Sequence, residues 1–93
     1  MVVRVRLFSP FSVVLNEKFL NFEFKELQRI KFEELLQELV QKYPAVKSLL
    51  PSTSDHDKVY GNLVPIRNGK VVFLNDEIFD NDIIEFYGSL SGG

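Results

Sequence analysis

The spacing of apolar residues changes once along this chain, at about residue 32, and that change sets the fold. Before it, Val3, Val5 and Leu7 alternate with Arg4 and Arg6, and Leu20, Phe22 and Phe24 alternate with Asn21, Glu23 and Lys25. A period of two puts each set on one face of a strand. From Phe32 the apolar positions become Phe32, Leu35, Leu36, Leu39, Val40 and Tyr43, a single stripe along an α-helix. Glu33, Glu34, Gln37, Glu38, Gln41 and Lys42 form the wet side, and the early glutamates and late lysine suit the helix dipole. Pro44 stops the helix near Tyr43. Its start is poorly marked, because Lys31 stands where Ser, Thr, Asp or Asn is preferred. A one-striped helix among half-buried strands buries its stripe by lying across one face of a sheet.

The remaining segments extend this plan. Val2 to Phe8 is the first strand, with Val2, Arg4, Arg6 and Phe8 turned away from the core. Pro10 ends it, and in the connection Ser9 to Lys18 the run Val13-Val14-Leu15 reads as an extension of either flanking strand. Two strands joined so closely pair antiparallel. Ala45 to Leu50 reads as a further helical turn, and Ser52 to Lys58 as a polar, mobile loop. Tyr60 to Arg67 reads as a strand, with Val64 and Ile66 inward and Leu63, Pro65 and Arg67 outward. Pro65 cannot donate to a ladder, which predicts an edge or irregular strand. Asn68-Gly69 signals a hairpin turn into a short strand, Val71 to Leu74. Asn75 to Asp82 is turn-rich, with Asn81 expected in the left-handed region. The last strand is Ile83 to Tyr87, with Ile84 and Phe86 inward. The class is α+β, one domain over residues 1–93, with residues 88–93 expected as a flexible tail.

Composition removes several functions. Eleven basic and 13 acidic residues give a net charge of -2, against the basic excess of a nucleic-acid binder. No apolar run approaches the ~20 residues of a membrane span, and no signal-peptide pattern is present, so a soluble cytoplasmic protein is expected. There is no cysteine, hence no disulfide, thiolate nucleophile or cysteine metal site. His56 sits between Asp55 and Asp57 without further ligands nearby, and reads as part of a solvated loop. Asp76, Glu77, Asp80 and Asp82 do not follow calcium-loop spacing. No nucleophile elbow is present. What remains is Leu90-Ser91-Gly92-Gly93. Glycine can enter a slot too narrow for other residues, so this segment suits insertion into another protein's active site. Taken alone, two glycines there read as a frayed end.

Several stretches together resemble the MoaD/ThiS family of sulfur carriers. They are Val3-Arg4-Val5-Arg6-Leu7-Phe8, Phe32-Glu33-Glu34-Leu35-Leu36 leading to Lys42-Tyr43-Pro44, Ile66-Arg67-Asn68-Gly69, Ile78 to Ile84, and Ser91-Gly92-Gly93. The length and the Lys42-Tyr43-Pro44 ending are most similar to the small subunit of molybdopterin synthase. The chain departs from the family pattern at Lys31, often Thr, at Asn81, often Gly, and at Gly88-Ser89, often two prolines. The resemblance implies a ubiquitin-like β-grasp: a mixed four- to five-stranded sheet with one main helix across one face and the first and last strands side by side.

The same resemblance implies a carrier and not an enzyme. A ubiquitin-activating-type adenylating enzyme would use ATP to activate the Gly93 carboxylate, a persulfide would supply sulfur, and the resulting thiocarboxylate would serve the molybdopterin synthase large subunit. Gly93 would bear the sulfur, Gly92 would thread the slot, and Ser91 and Leu90 would be tail contacts. The chain itself would hold no cofactor or metal. Strand alternation then places Arg4, Arg6, Phe8, Ile83, Glu85 and Tyr87, joined by Leu63 and Pro65, on an uncovered partner-docking face. A ubiquitin-like modifier joined to lysines, a thiamine-pathway carrier, and an interaction module whose glycines carry nothing are the alternatives.

Overall fold

The computed structural model describes residues 1–50 and 63–88. In chain order its elements are β1 (Val2–Leu7), α1 (Phe11–Leu15), β2 (Phe19–Glu23), β3 (Arg29–Lys31), α2 (Phe32–Lys42), a 3₁₀ turn (Pro44–Leu49), β4 (Leu63–Arg67), β5 (Lys70–Val71), β6 (Glu77–Phe79) and β7 (Ile83–Gly88). Five strands form one sheet in the order β2-β1-β7-β4-β5. β1 runs antiparallel to β2, with Val5 opposite Leu20. It runs parallel to β7, with Val5 opposite Ile84. This is the ubiquitin-like β-grasp expected from the sequence. Among the described residues, no helix is long and apolar enough to cross a membrane.

The helix covers the sheet as its stripe requires. Val3, Val5, Leu7, Leu20, Phe22, Ile84 and Phe86 of the sheet are buried with Phe32, Leu35, Leu36 and Leu39 of α2. Phe86 sits at the centre, edge-on to Phe32 at 6.0 Å and to Phe11 at 5.7 Å between ring centroids. Burying side chains of this size contributes about 1.5–3 kcal/mol each. No charged side chain is buried among the described residues.

The weak start of α2 is rescued by tertiary contacts. Glu34 accepts a hydrogen bond from the Lys31 backbone N–H at 3.3 Å, half of a capping box. Lysine has no acceptor to return, so the other half is missing. Two of the free N–H groups of the first turn donate instead to the loop before β6: Phe32 to the Asp76 carbonyl at 2.9 Å and Glu33 to the Leu74 carbonyl at 3.0 Å.

Five expectations need correction. Val13-Val14-Leu15 extends neither strand, since residues 11–15 form the short helix α1 with Phe11 buried. β3 and β6 were not anticipated; they pair in a separate two-stranded sheet with Ile30 opposite Ile78, both buried. β5 is shorter than read, Lys70–Val71. The facing of β4 is reversed: Leu63 and Pro65 are buried, whereas Val64 and Ile66 are only partly covered. Register decides this, because Pro65 lies opposite the inward Phe86 and Ile66 opposite Glu85. β4 is also internal and not an edge. Its proline is tolerated because the Pro65 carbonyl accepts from the Val72 N–H at 2.9 Å. The missing N–H therefore points towards the short β5 side, away from β7.

Turn chemistry follows the sequence. Asn68 and Gly69 both take positive φ, 53° and 79°, in the β4–β5 hairpin. Asn81 is left-handed, as expected, with φ 67°. The loop read over Ser52 to Lys58 lies outside the described residues.

Gly88 matters for a different reason. A Cβ there would stand 2.6 Å from the Ser9 carbonyl oxygen and 2.7 Å from Pro10 Cδ. Gly88→Ala should therefore destabilise the fold by about 1–3 kcal/mol through overpacking. Gly69→Ala meets no neighbour within 4 Å and should cost only the left-handed penalty of about 1–2 kcal/mol. Thermal unfolding of the two variants checks both; an unchanged Gly88→Ala midpoint would show that the Ser9–Pro10 segment can move aside.

Candidate functional site

Residues paired across strands share a face, so register builds the surface opposite α2. One row crosses all five strands: Phe19, Arg6, Glu85, Ile66 and Val71. A second row holds Asn21, Arg4 and Ile83. Beyond the first row Phe8 lies beside Tyr87, and Val64 is opposite Tyr87 on β4. The buried residues of α1 and α2 are on the other side of the sheet with Phe86, so neither helix covers this face. Phe19 is 51% exposed, Ile83 49% and Val71 44%.

Contacts within the face hold it in one arrangement. The Phe8 and Tyr87 rings stack with centroids 4.3 Å apart and planes 9° from parallel. The Arg6 guanidinium lies 5.0 Å from the Phe8 centroid and 5.9 Å from that of Phe19. It also approaches Glu85 at 3.7 Å, a half-exposed pair worth at most about 1 kcal/mol. Arg4 Nε donates to Asn21 Oδ1 at 3.3 Å. The result is an apolar and aromatic strip with fixed charges set into it, as protein interfaces present.

Six of the eight predicted docking residues are brought together here: Arg4, Arg6, Phe8, Ile83, Glu85 and Tyr87. Leu63 and Pro65 are not, because they face the core. Phe19, Val64, Ile66 and Val71 belong to the face and were missed. Phe19 was detectable, since it precedes the inward Leu20 in a clean alternation. Val64 and Ile66 were not, since residues 63–66 are all apolar and carry no phase.

The acidic residues near β6 serve the backbone. Asp80 accepts from the Val2 N–H at 2.7 Å, and Asp76 from the Phe73 N–H at 2.8 Å. Asp82 accepts from the Phe79 N–H at 2.8 Å and pairs with Arg67 at 3.0 Å. Among the described residues no group of acidic or histidine side chains could hold a metal ion. His56 lies outside the described residues, as do the predicted tail residues Leu90, Ser91, Gly92 and Gly93. β7 extends one residue past its predicted end, to Gly88, beside the Phe8–Tyr87 stack.

No model of a known protein family matches the chain, and no curated protein matches it by sequence. Solved structures do. The small archaeal modifier protein SAMP1 of Haloferax volcanii superposes with a TM-score of 0.81 at 19% identity, over 100% of both chains. A protein assigned as subunit 1 of a molybdopterin converting factor, from Pyrococcus furiosus, gives 0.76 at 19% identity, covering 97% of this chain and 99% of its own. Small archaeal modifier protein 1 of Methanosarcina acetivorans gives 0.74 at 23%, covering 99% and 96%. At such identities the likeness establishes a shared fold, and the fold is that of the family whose residues the sequence resembles.

The Tyr87 phenol offers a probe of the face. Desolvation raises its pKa above the ordinary 10.0; the neighbouring Glu85 carboxylate raises it further by repelling a phenolate and accepting its hydrogen bond, and Arg6 opposes both. A raised acid favours the folded state below its unfolded pKa, and that contribution is lost as pH rises through the folded value. In an ultraviolet titration Tyr87 should contribute a phase above the ordinary 10.0. Tyr87→Phe should remove that phase and Glu85→Gln should bring it to lower pH; a Glu85→Gln titration identical to wild type would show that the two groups do not interact.

Proposed function

We propose that this chain is a sulfur carrier that works through Gly93 and docks by its open sheet face. The observation that carries the reading is the position of β7: its last described residue, Gly88, lies at the border of the aromatic strip, five residues before Gly93. The shared fold of small archaeal modifiers and a molybdopterin converting factor subunit supports it.

The chemistry is acyl activation in the cytoplasm. The Gly93 carboxylate attacks the α-phosphorus of ATP in a ubiquitin-activating-type adenylating enzyme, and pyrophosphate leaves. A persulfide sulfur then attacks the acyl carbon, AMP leaves, and thiol cleavage of the sulfur–sulfur bond releases the thiocarboxylate. Gly92 threads the partner's slot, and Ser91 and Leu90 are tail contacts. The sulfur goes to a pterin precursor bound by a molybdopterin synthase large subunit. This chain supplies a tethered carboxylate and a docking face; the partner supplies positioning and charge stabilisation. ATP belongs to the partner.

A second reading has a specific observation behind it. Two of the three similar structures described above are named modifiers, and a modifier would pass the same acyl-adenylate to a lysine amine.

Intact mass separates the readings. Incubation with the activating enzyme, ATP and a persulfide donor should add the difference between one sulfur and one oxygen, and deleting Gly93 should abolish the change. Lysine conjugates would favour the modifier, and no change of any kind would leave only an interaction module. Phe19→Asp should raise the KM for the activating enzyme about tenfold, as expected for an interface hot spot, at a temperature where circular dichroism shows the variant still folded.

A further inference from the structure

The β1–α1 connection, residues 8–10, and the first residue of α1 wrap the end of β7. Phe8 lies on the open face, stacked on Tyr87 at 4.3 Å. Its backbone N–H donates sideways to the Phe86 carbonyl at 2.9 Å. Ser9 and Pro10 come next and press against Gly88, leaving no room for a Cβ. Phe11 follows on the opposite face, edge-on to Phe86 at 5.7 Å. On the far edge, Leu63 and Val64 of β4 pair with Gly88 and Tyr87. The connection is itself tied down, with the Ser12 N–H donating to the Phe8 carbonyl at 3.1 Å and the Val14 N–H to the Pro10 carbonyl at 3.0 Å.

We propose that residues 8–11 are a collar that holds the Tyr87–Gly88 end of β7 in place, and that Phe8, Tyr87 and Gly88 are positioning residues for delivery of Gly93. This rests on the reading of Gly93 as the reacting residue. The last residues of an ordinary strand fray; these are held on both faces and both edges. Whatever its conformation, a five-residue segment spans at most about 17 Å. A fixed origin therefore places the partner's reacting centre within that distance of Gly88. Unpeeling two residues of β7 would lengthen the reach by about 7 Å, but it would also spread the end over a larger volume and lower its effective concentration. The collar holds the origin still and leaves the placement to the docked face.

Two measurements test this. The first needs no partner: amide hydrogen exchange read by NMR. In the wild type the Phe8 amide, bonded to Phe86, should exchange as slowly as the Val5 amide. In Tyr87→Ala it should exchange roughly two- to tenfold faster, the size of a lost aromatic stack, with Val5 unchanged. Fast exchange at Phe8 in the wild type would overturn the collar. The second deletes Ser89, which shortens the tether by one residue and leaves the docking face intact. If the collar holds, β7 cannot release a residue to compensate. Charging by the activating enzyme should then lose at least about tenfold in kcat with KM unchanged, as displacement from the reacting geometry does. A kcat within about twofold of wild type would show that the strand unpeels, and would overturn the positioning role. A wild-type chain that is never charged would instead overturn the carrier reading, and the exchange result would still decide whether the collar exists.

Discussion

The parallel pairing of β1 with β7 is the constraint on which the rest depends. Val5 lies opposite Ile84 and Leu7 opposite Phe86, so two strands about 80 residues apart in sequence form the middle of the sheet. A parallel neighbour cannot be reached by a hairpin and needs a crossover. The crossover here contains α2, and its apolar stripe buries the inner faces of the pair. Close association of β1 and β7 also determines which polar residues share the outer surface. Arg6 and Glu85 meet because their inward neighbours are locked into the core.

The connection after β1 serves two faces at once. Phe11 completes the core by packing against Phe86, while Phe8, three residues earlier, stacks on Tyr87 outside. The chain between them passes so close to β7 that position 88 admits only glycine without a shift of Ser9 or Pro10. Core packing and the position of the Gly88 end of β7 thus draw on the same contacts. Changes around Gly88 cannot be read through activity alone, which is why exchange and kinetic readouts have to be separated.

Much of this was legible in the residues. Alternation at Val3, Val5 and Leu7, the helical stripe from Phe32, the Asn68-Gly69 turn and the left-handed Asn81 each follow a local rule, and each appears as read. Those rules work where polar and apolar residues take turns. They stop at Leu63-Val64-Pro65-Ile66, where four apolar residues give two equivalent phases and only pairing with Phe86 selects one. They also stop at Arg29–Lys31 and Glu77–Phe79, three-residue strands in which one buried residue, Ile30 or Ile78, leaves no period to detect. The run Val13-Val14-Leu15 was misread because β-branched Val13 and Val14 favour strands, whereas burial of Phe11 draws residues 11–15 into a helix.

By itself, the order of residues determined the class of fold and the inward residues of β1, β2, α2 and β7, because each depends on composition or on neighbours a few positions away. The three-dimensional fold decided which surface is left uncovered, that Phe19 and Ile66 belong to it while Leu63 and Pro65 do not, and that the β1–α1 connection encloses the end of β7. Those outcomes rest on register between strands distant in sequence. Register is set by packing the whole core at once, and no local pattern contains it.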